Sequence, residues 1–128
     1  MLKSKIIDVL KTFTQEELKS FRNYINSPFH NSNKNVIKLF ELIRKHGPEY
    51  NSPSLQKEKL FRKLYPSKKY SDIVLRILLS DLLKLSEDFL AYQRFVKTPL
   101  AGELYLLEEL KNRKLDSLFA KVIKESEQ

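Results

Sequence analysis

Residues 72–97 run for 26 positions without a glycine or a proline, and their apolar side chains recur at helical spacing. Val74, Leu78, Leu82, Leu85, Phe89, Tyr92 and Val96 step by four, four, three, four, three and four. Leu75, Leu79, Leu83 and Leu90 form a second stripe beside them. At ~1.5 Å per residue the segment spans about 39 Å as a helix. Its polar remainder (Arg76, Ser80, Lys84, Glu87 and Arg94) is narrow, so such a helix needs cover on more than half its circumference. This predicts an all-α fold of about seven helices packed around a long central helix, 72–97. Leu78, Leu82, Leu85 and Phe89 are expected to be buried, with Arg76, Lys84 and Glu87 outside.

The segments on either side read as the helices that supply this cover. Leu2, Ile6, Val9 and Phe13 mark one face of a short helix over 2–13. Thr14-Gln15-Glu16-Glu17 has the pattern of a capping box and opens a helix over 15–26, which Ser27-Pro28 ends. A third helix, 34–46, carries Val36, Ile37, Phe40 and Ile43, with Gly47 expected in the left-handed C-terminal position and Pro48 beyond it. Ser54 is positioned to cap a fourth helix, 55–65, closed by Pro66. Thr98-Pro99 reads as the cap and first residue of a sixth helix carrying Leu100, Leu104, Leu107 and Leu110. The polar run 111–114 separates it from a seventh with Leu115, Leu118, Phe119, Val122 and Ile123. Residues 1–128 thus read as one helical domain: a core to residue 97, then a repeat-like antiparallel pair at 98–128.

With 41% hydrophobic and 31% charged residues, the composition fits neither a disordered tail nor a membrane protein. The first residues are charged and amphipathic without an apolar signal core, and the reading is cytoplasmic. No cysteine is present, which removes thiolate metal sites, disulfides and cysteine nucleophiles. His30 and His46 lie 16 residues apart, and neither has a metal-ligating partner at i+3 or i+4. The only glycines are Gly47 and Gly102, so neither a nucleophile elbow nor a phosphate-cradling glycine loop can be written. Non-catalytic work is expected, with no cofactor and no metal.

Several segments taken together resemble the N-terminal region of a group of uncharacterised bacterial all-helical proteins. They are Thr12-Phe13-Thr14-Gln15-Glu16-Glu17-Leu18-Lys19-Ser20-Phe21, Asn26-Ser27-Pro28-Phe29, Lys57-Glu58-Lys59-Leu60-Phe61-Arg62-Lys63-Leu64-Tyr65-Pro66 and Leu79-Ser80-Asp81-Leu82-Leu83. That group continues into further helix pairs. The resemblance implies that this chain is an N-terminal piece or a shortened member, and it carries no activity or site residue with it.

Two surfaces stand out as candidates. The last helix pair has apolar stripes on both members and no following segment to cover an outer side. Leu104, Leu107, Leu115, Phe119 and Val122 are therefore the expected interface for a protein partner, a second copy or further helix pairs. The alternative is a basic nucleic-acid-binding domain using a helix-turn-helix-like region, 55–80. Net charge is +8, with nine basic and five acidic residues in 1–50, ten and five in 51–98, and five and six in 99–128. Lys57, Lys59, Arg62, Lys63, Lys68 and Lys69 cluster around Phe61, Tyr65 and Tyr70, with Arg76 on the following helix. That helix makes a poor reading head, offering mainly Ser71, Asp72, Arg76 and Ser80, and Asp72 opposes phosphate. A lysine-rich, solvated surface accounts for the same charge excess.

Overall fold

The computed structural model describes residues 2–127 and is all-helical. Seven α-helices follow in order: α1 Lys5–Lys11, α2 Gln15–Asn26, α3 Lys34–Arg44, α4 Lys57–Leu64, α5 Asp72–Val96, α6 Pro99–Asn112 and α7 Asp116–Ser126. A single 3-10 turn, Pro53–Leu55, precedes α4. No helix among the described residues is long and apolar enough to cross a membrane.

The chain divides into two compact units, one ending at Phe89 and one beginning at Leu90. The division falls inside α5. The burial of α5 gives the reason. Its covered face consists of Leu75, Leu78, Leu79, Leu82, Ser86 and Phe89, and beyond Phe89 the side chains of Leu90, Tyr92, Phe95 and Val96 are exposed. The expected broad apolar circumference narrows to this one stripe, leaving Val74 outside and Leu85 half-buried, while Arg76, Lys84 and Glu87 are exposed as expected.

In the first unit, Phe21 of α2 is fully buried at the centre of an aromatic group. Its ring lies 5.6 Å from Phe13, 5.1 Å from Phe40 and 5.2 Å from Phe89, edge-on to the first two and tilted to the third. Such pairs add about 0.5–1.5 kcal/mol each beyond the area they bury. Ile6, Leu10, Ile25, Leu39, Ile43, Leu55, Leu60, Leu75 and Leu82 are among the other side chains of this core. Ser86, buried among them, donates from Oγ to the Leu83 carbonyl at 2.6 Å, so its hydroxyl is satisfied within its own helix.

The helix boundaries show where local signals held. Glu17 N donates to Thr14 Oγ1 at 3.1 Å and Thr14 N to Glu17 Oε1 at 3.0 Å, a complete capping box on α2. α1 begins at Lys5, later than expected, yet Leu2 ahead of it is buried. Ser54 is no cap: Ser52 Oγ accepts from Ser54 N at 3.2 Å and starts the 3-10 turn, and α4 begins after Gln56 without a side-chain cap. Thr98 does not cap α6 either, because its hydroxyl turns back to donate to the Arg94 carbonyl at 2.8 Å.

Gly47 is not left-handed; that conformation falls to Tyr50, at φ 53°. What Gly47 supplies is room, since a Cβ there would lie 2.8 Å from both Cζ and Oη of Tyr50. The Tyr50 ring is buried and its hydroxyl has no hydrogen-bond partner among the described residues. Burial raises its pKa above the ordinary phenol value.

Between α2 and α3 the chain makes a turn that carries Phe29, 91% exposed, on a well-bonded frame. His30 N and Asn31 N both donate to the Ser27 carbonyl, at 3.0 Å each. Asn31 Nδ2 reaches the Ile25 carbonyl at 3.0 Å, and its Oδ1 accepts from Asn33 N at 3.0 Å. The His30 ring stacks on Tyr24 with centroids 4.0 Å apart.

Candidate functional site

The second unit is a helix pair that leaves most of its own apolar surface outside. α6 and α7 pack against each other, and the joint between them is a C-terminal motif built without glycine. Leu115 N donates to the Leu110 carbonyl at 2.9 Å and Lys114 N to the Lys111 carbonyl at 3.0 Å, with Lys114 left-handed at φ 59°. These are the two bonds that characterise a Schellman end. Leu110, at 8% exposure, is the one buried side chain from Leu90 onward among the described residues.

Of the five side chains expected at the interface, Leu104 and Leu115 are exposed, whereas Leu107, Phe119 and Val122 are half-buried. Leu100 (64%), Tyr105 (59%), Leu106 and Leu118 are further large, exposed apolar residues that lie outside the five expected at the interface. Leu100 and Leu104, one turn apart, share a face of α6. The Tyr105 ring stacks against Phe95 of α5, with centroids 5.9 Å apart. A signal for the missed residues was present: α6 is apolar at 100, 104, 105, 106, 107 and 110, too many positions for one stripe to cover.

Of the seven basic candidates, Lys57, Lys59, Arg62 and Lys63 lie on α4, Lys68 and Lys69 in the turn after it, and Arg76 on α5. Three of them are engaged within the chain. Lys57 Nζ lies 3.4 Å and Arg76 3.5 Å from the Asp72 carboxylate, and Lys68 Nζ sits 5.3 Å from the centroid of the Tyr65 ring. Tyr70 donates to Asp72 Oδ1 at 3.0 Å. This hydrogen bond, with help from Lys57 and Arg76, holds the Asp72 carboxyl below the usual carboxylate range. Tyr65 and Tyr70 both pack on Phe61, with centroids 5.0 and 5.4 Å away, so neither ring stands out as a platform for bases. Lys59, Arg62, Lys63 and Lys69 remain on the exposed surface. Among the described residues no group of three or more His, Asp or Glu side chains is placed to hold a metal ion.

Comparison of the chain with protein-family models, with curated proteins and with solved structures finds no match.

Proposed function

We propose that this chain is a non-catalytic helical interaction module, acting in the cytoplasm, whose C-terminal helix pair docks onto a second copy of the chain. One observation carries the reading. Among the described residues from Leu90 onward, eleven large apolar side chains are exposed and one is buried. Single exposed leucines are ordinary on protein surfaces, but a concentration of this kind marks a face meant for cover. The charge distribution favours a second copy as the cover. Residues 1–89 hold seventeen basic and ten acidic side chains, so copies meeting there oppose each other. Residues 90–128 hold seven and six, and two copies meet there with almost no net repulsion.

Nucleic acid is the competing partner. The contacts of Lys57, Arg76 and Lys68 weaken it, because each must be given up or shared before phosphate is bound.

Sedimentation of the full chain at micromolar and near-millimolar concentrations tests the proposal. The expected result is a concentration-dependent dimer that persists at high salt, because burial of apolar surface is not screened. Leu104→Glu combined with Leu118→Glu is expected to give a monomer of unchanged helicity. These positions serve better than Phe119 and Val122, whose half-burial ties them to the pair itself. A strict monomer at every concentration overturns the proposal. Electrophoretic shift of an oligonucleotide, lost steeply as salt rises, establishes the competing reading instead.

A further inference from the structure

A cleft in the first unit, away from the basic run 57–69, carries an arrangement that helix packing does not explain. It encloses about 430 Å³ and is lined by Gln15, Leu18, Lys19 and Arg22 of α2 with Arg44 and Gly47 at the end of α3. Three of the six are cations and none is an acid. The α2 residues stand at i, i+3, i+4 and i+7, so one face of that helix forms the wall.

Glu41, one turn before Arg44 on α3, fixes both arginines without lining the cleft. Arg44 Nε donates to Glu41 Oε2 at 2.9 Å, and Arg22 Nε lies 2.8 Å from Oε1 as a close ion pair, not an aligned hydrogen bond. Oε1 is shut off from solvent. A carboxylate that engages each guanidinium through Nε leaves the paired Nη donors for a second acceptor. As a clamp between α2 and α3, the glutamate and Arg22 would be enough. Lys19 has no ion-pair partner among the described residues, and three cations against one carboxylate leave two positive charges uncompensated at the cleft.

We propose that this cleft binds a small phosphorylated ligand, with Arg22 and Arg44 gripping the phosphate oxygens and Lys19 adding the third positive charge. Phosphate fits better than carboxylate for two reasons. Its double charge matches the uncompensated charge of the cluster, and its tetrahedral oxygens accept from two guanidinium forks at once. Leu18 gives the cleft one apolar wall, and Gln15 adds an uncharged amide that donates and accepts. Glu41 is a positioning residue: by holding both Nε groups it reduces the side-chain freedom that each arginine loses on binding.

Titration of the full chain with inorganic pyrophosphate in about 50 mM salt, followed by ¹H–¹⁵N spectra of the arginine side chains, tests this at an ionic strength where exposed charges are only partly screened. The Nε resonances of Arg22 and Arg44 are expected to shift together and saturate, while those of Arg62 and Arg76 stay. Arg22→Gln with Arg44→Gln is expected to weaken binding at least about tenfold, as loss of charge-assisted hydrogen bonds implies. Lys63→Gln with Lys69→Gln is expected to leave it unchanged. Should the double arginine variant lose helicity, Lys19→Gln, which breaks no ion pair, is expected to weaken binding by about threefold or more. Shifts that grow without saturating, or that appear equally at all arginines, overturn the proposal. So does displacement of pyrophosphate by an equal phosphate concentration of oligothymidylate, which would put the phosphate on a nucleic-acid backbone.

Discussion

Among the described residues, the stretch up to Phe89 buries twenty-one large apolar side chains and exposes four; from Leu90 on, one is buried and eleven are exposed. The two stretches are written in the same vocabulary of leucine, lysine and helical spacing. What separates them is the number of surfaces available. α1 to α4 and the first part of α5 share one buried core, and most of their large apolar side chains lie in it. α6 and α7 pack on each other, and a single pair cannot enclose faces as broad as theirs. Apolar periodicity therefore states how much surface wants cover. It does not state whether the cover lies within the same chain.

Paired substitutions probe this contrast. Leu82→Ala, in the fully buried stripe of α5, is expected to cost about 2–5 kcal/mol through the cavity it leaves. Leu104→Ala, at an exposed position, is expected to change stability by less than about 0.5 kcal/mol in the monomer. Urea unfolding followed by circular dichroism measures both, and equal losses would erase the distinction between the units.

Glycine placement gives the next largest difference. Gly47→Ala drives a methyl group into the Tyr50 ring and is expected to cost about 1–3 kcal/mol, the range for overpacking. Lys114→Gly is expected to act in the opposite sense, gaining about 1 kcal/mol by relieving a left-handed lysine. Thermal melts of the two single variants should move in opposite directions.

The threonines sharpen the comparison further. Thr14→Ala removes half of a capping box and is expected to cost about 1 kcal/mol, whereas Thr98→Ala, which loses no cap, is expected to cost a few tenths.

Asp72→Asn should have the smallest effect. The folded-state pKa of Asp72 lies below its unfolded value, so its contribution is present above the unfolded pKa and fades as pH falls through the folded one. The variant should lose only that acid-side part of the stability profile, seen as a smaller change of melting temperature between neutral pH and pH 3. The carboxylate is exposed, so high salt should shrink the difference.

The same pairs show what was legible in the sequence. The Thr14–Glu17 box needs nothing beyond four consecutive residues, and it formed as read. The helix count and the burial of Leu78, Leu82 and Phe89 followed from spacing alone. Gly47 and Lys114 illustrate the limit. A glycine before a proline signals a left-handed helix end, yet here its missing side chain makes room for a tyrosine three residues on, which depends on the ring of Tyr50 turning back into the core and not on residue type alone. At Lys114 the left-handed end exists without its usual residue, because the two closing hydrogen bonds outweigh the strain. The candidate interface was legible as an excess of leucine but not residue by residue: which side chains turn inward depends on how α6 and α7 settle together. The arginine–glutamate cluster went unread because Arg22 and Glu41 lie nineteen positions apart and no local pattern joins them.

The turn that carries Phe29 has a consequence for protease sensitivity. By exposure this ring is the obvious target for a protease that cuts after aromatic residues. Cleavage requires an extended stretch of backbone, however, and the bonds from His30, Asn31 and Asn33 hold the main chain curled. The enzyme must wait for the loop to open, so the cutting rate at Phe29–His30 follows the opening equilibrium and not the visibility of the ring. Replacing Asn31 with alanine should then speed nicking without changing how far the phenyl group protrudes. A limited-digestion time course turns this solvent-facing ring into a clock for local fluctuations between α2 and α3.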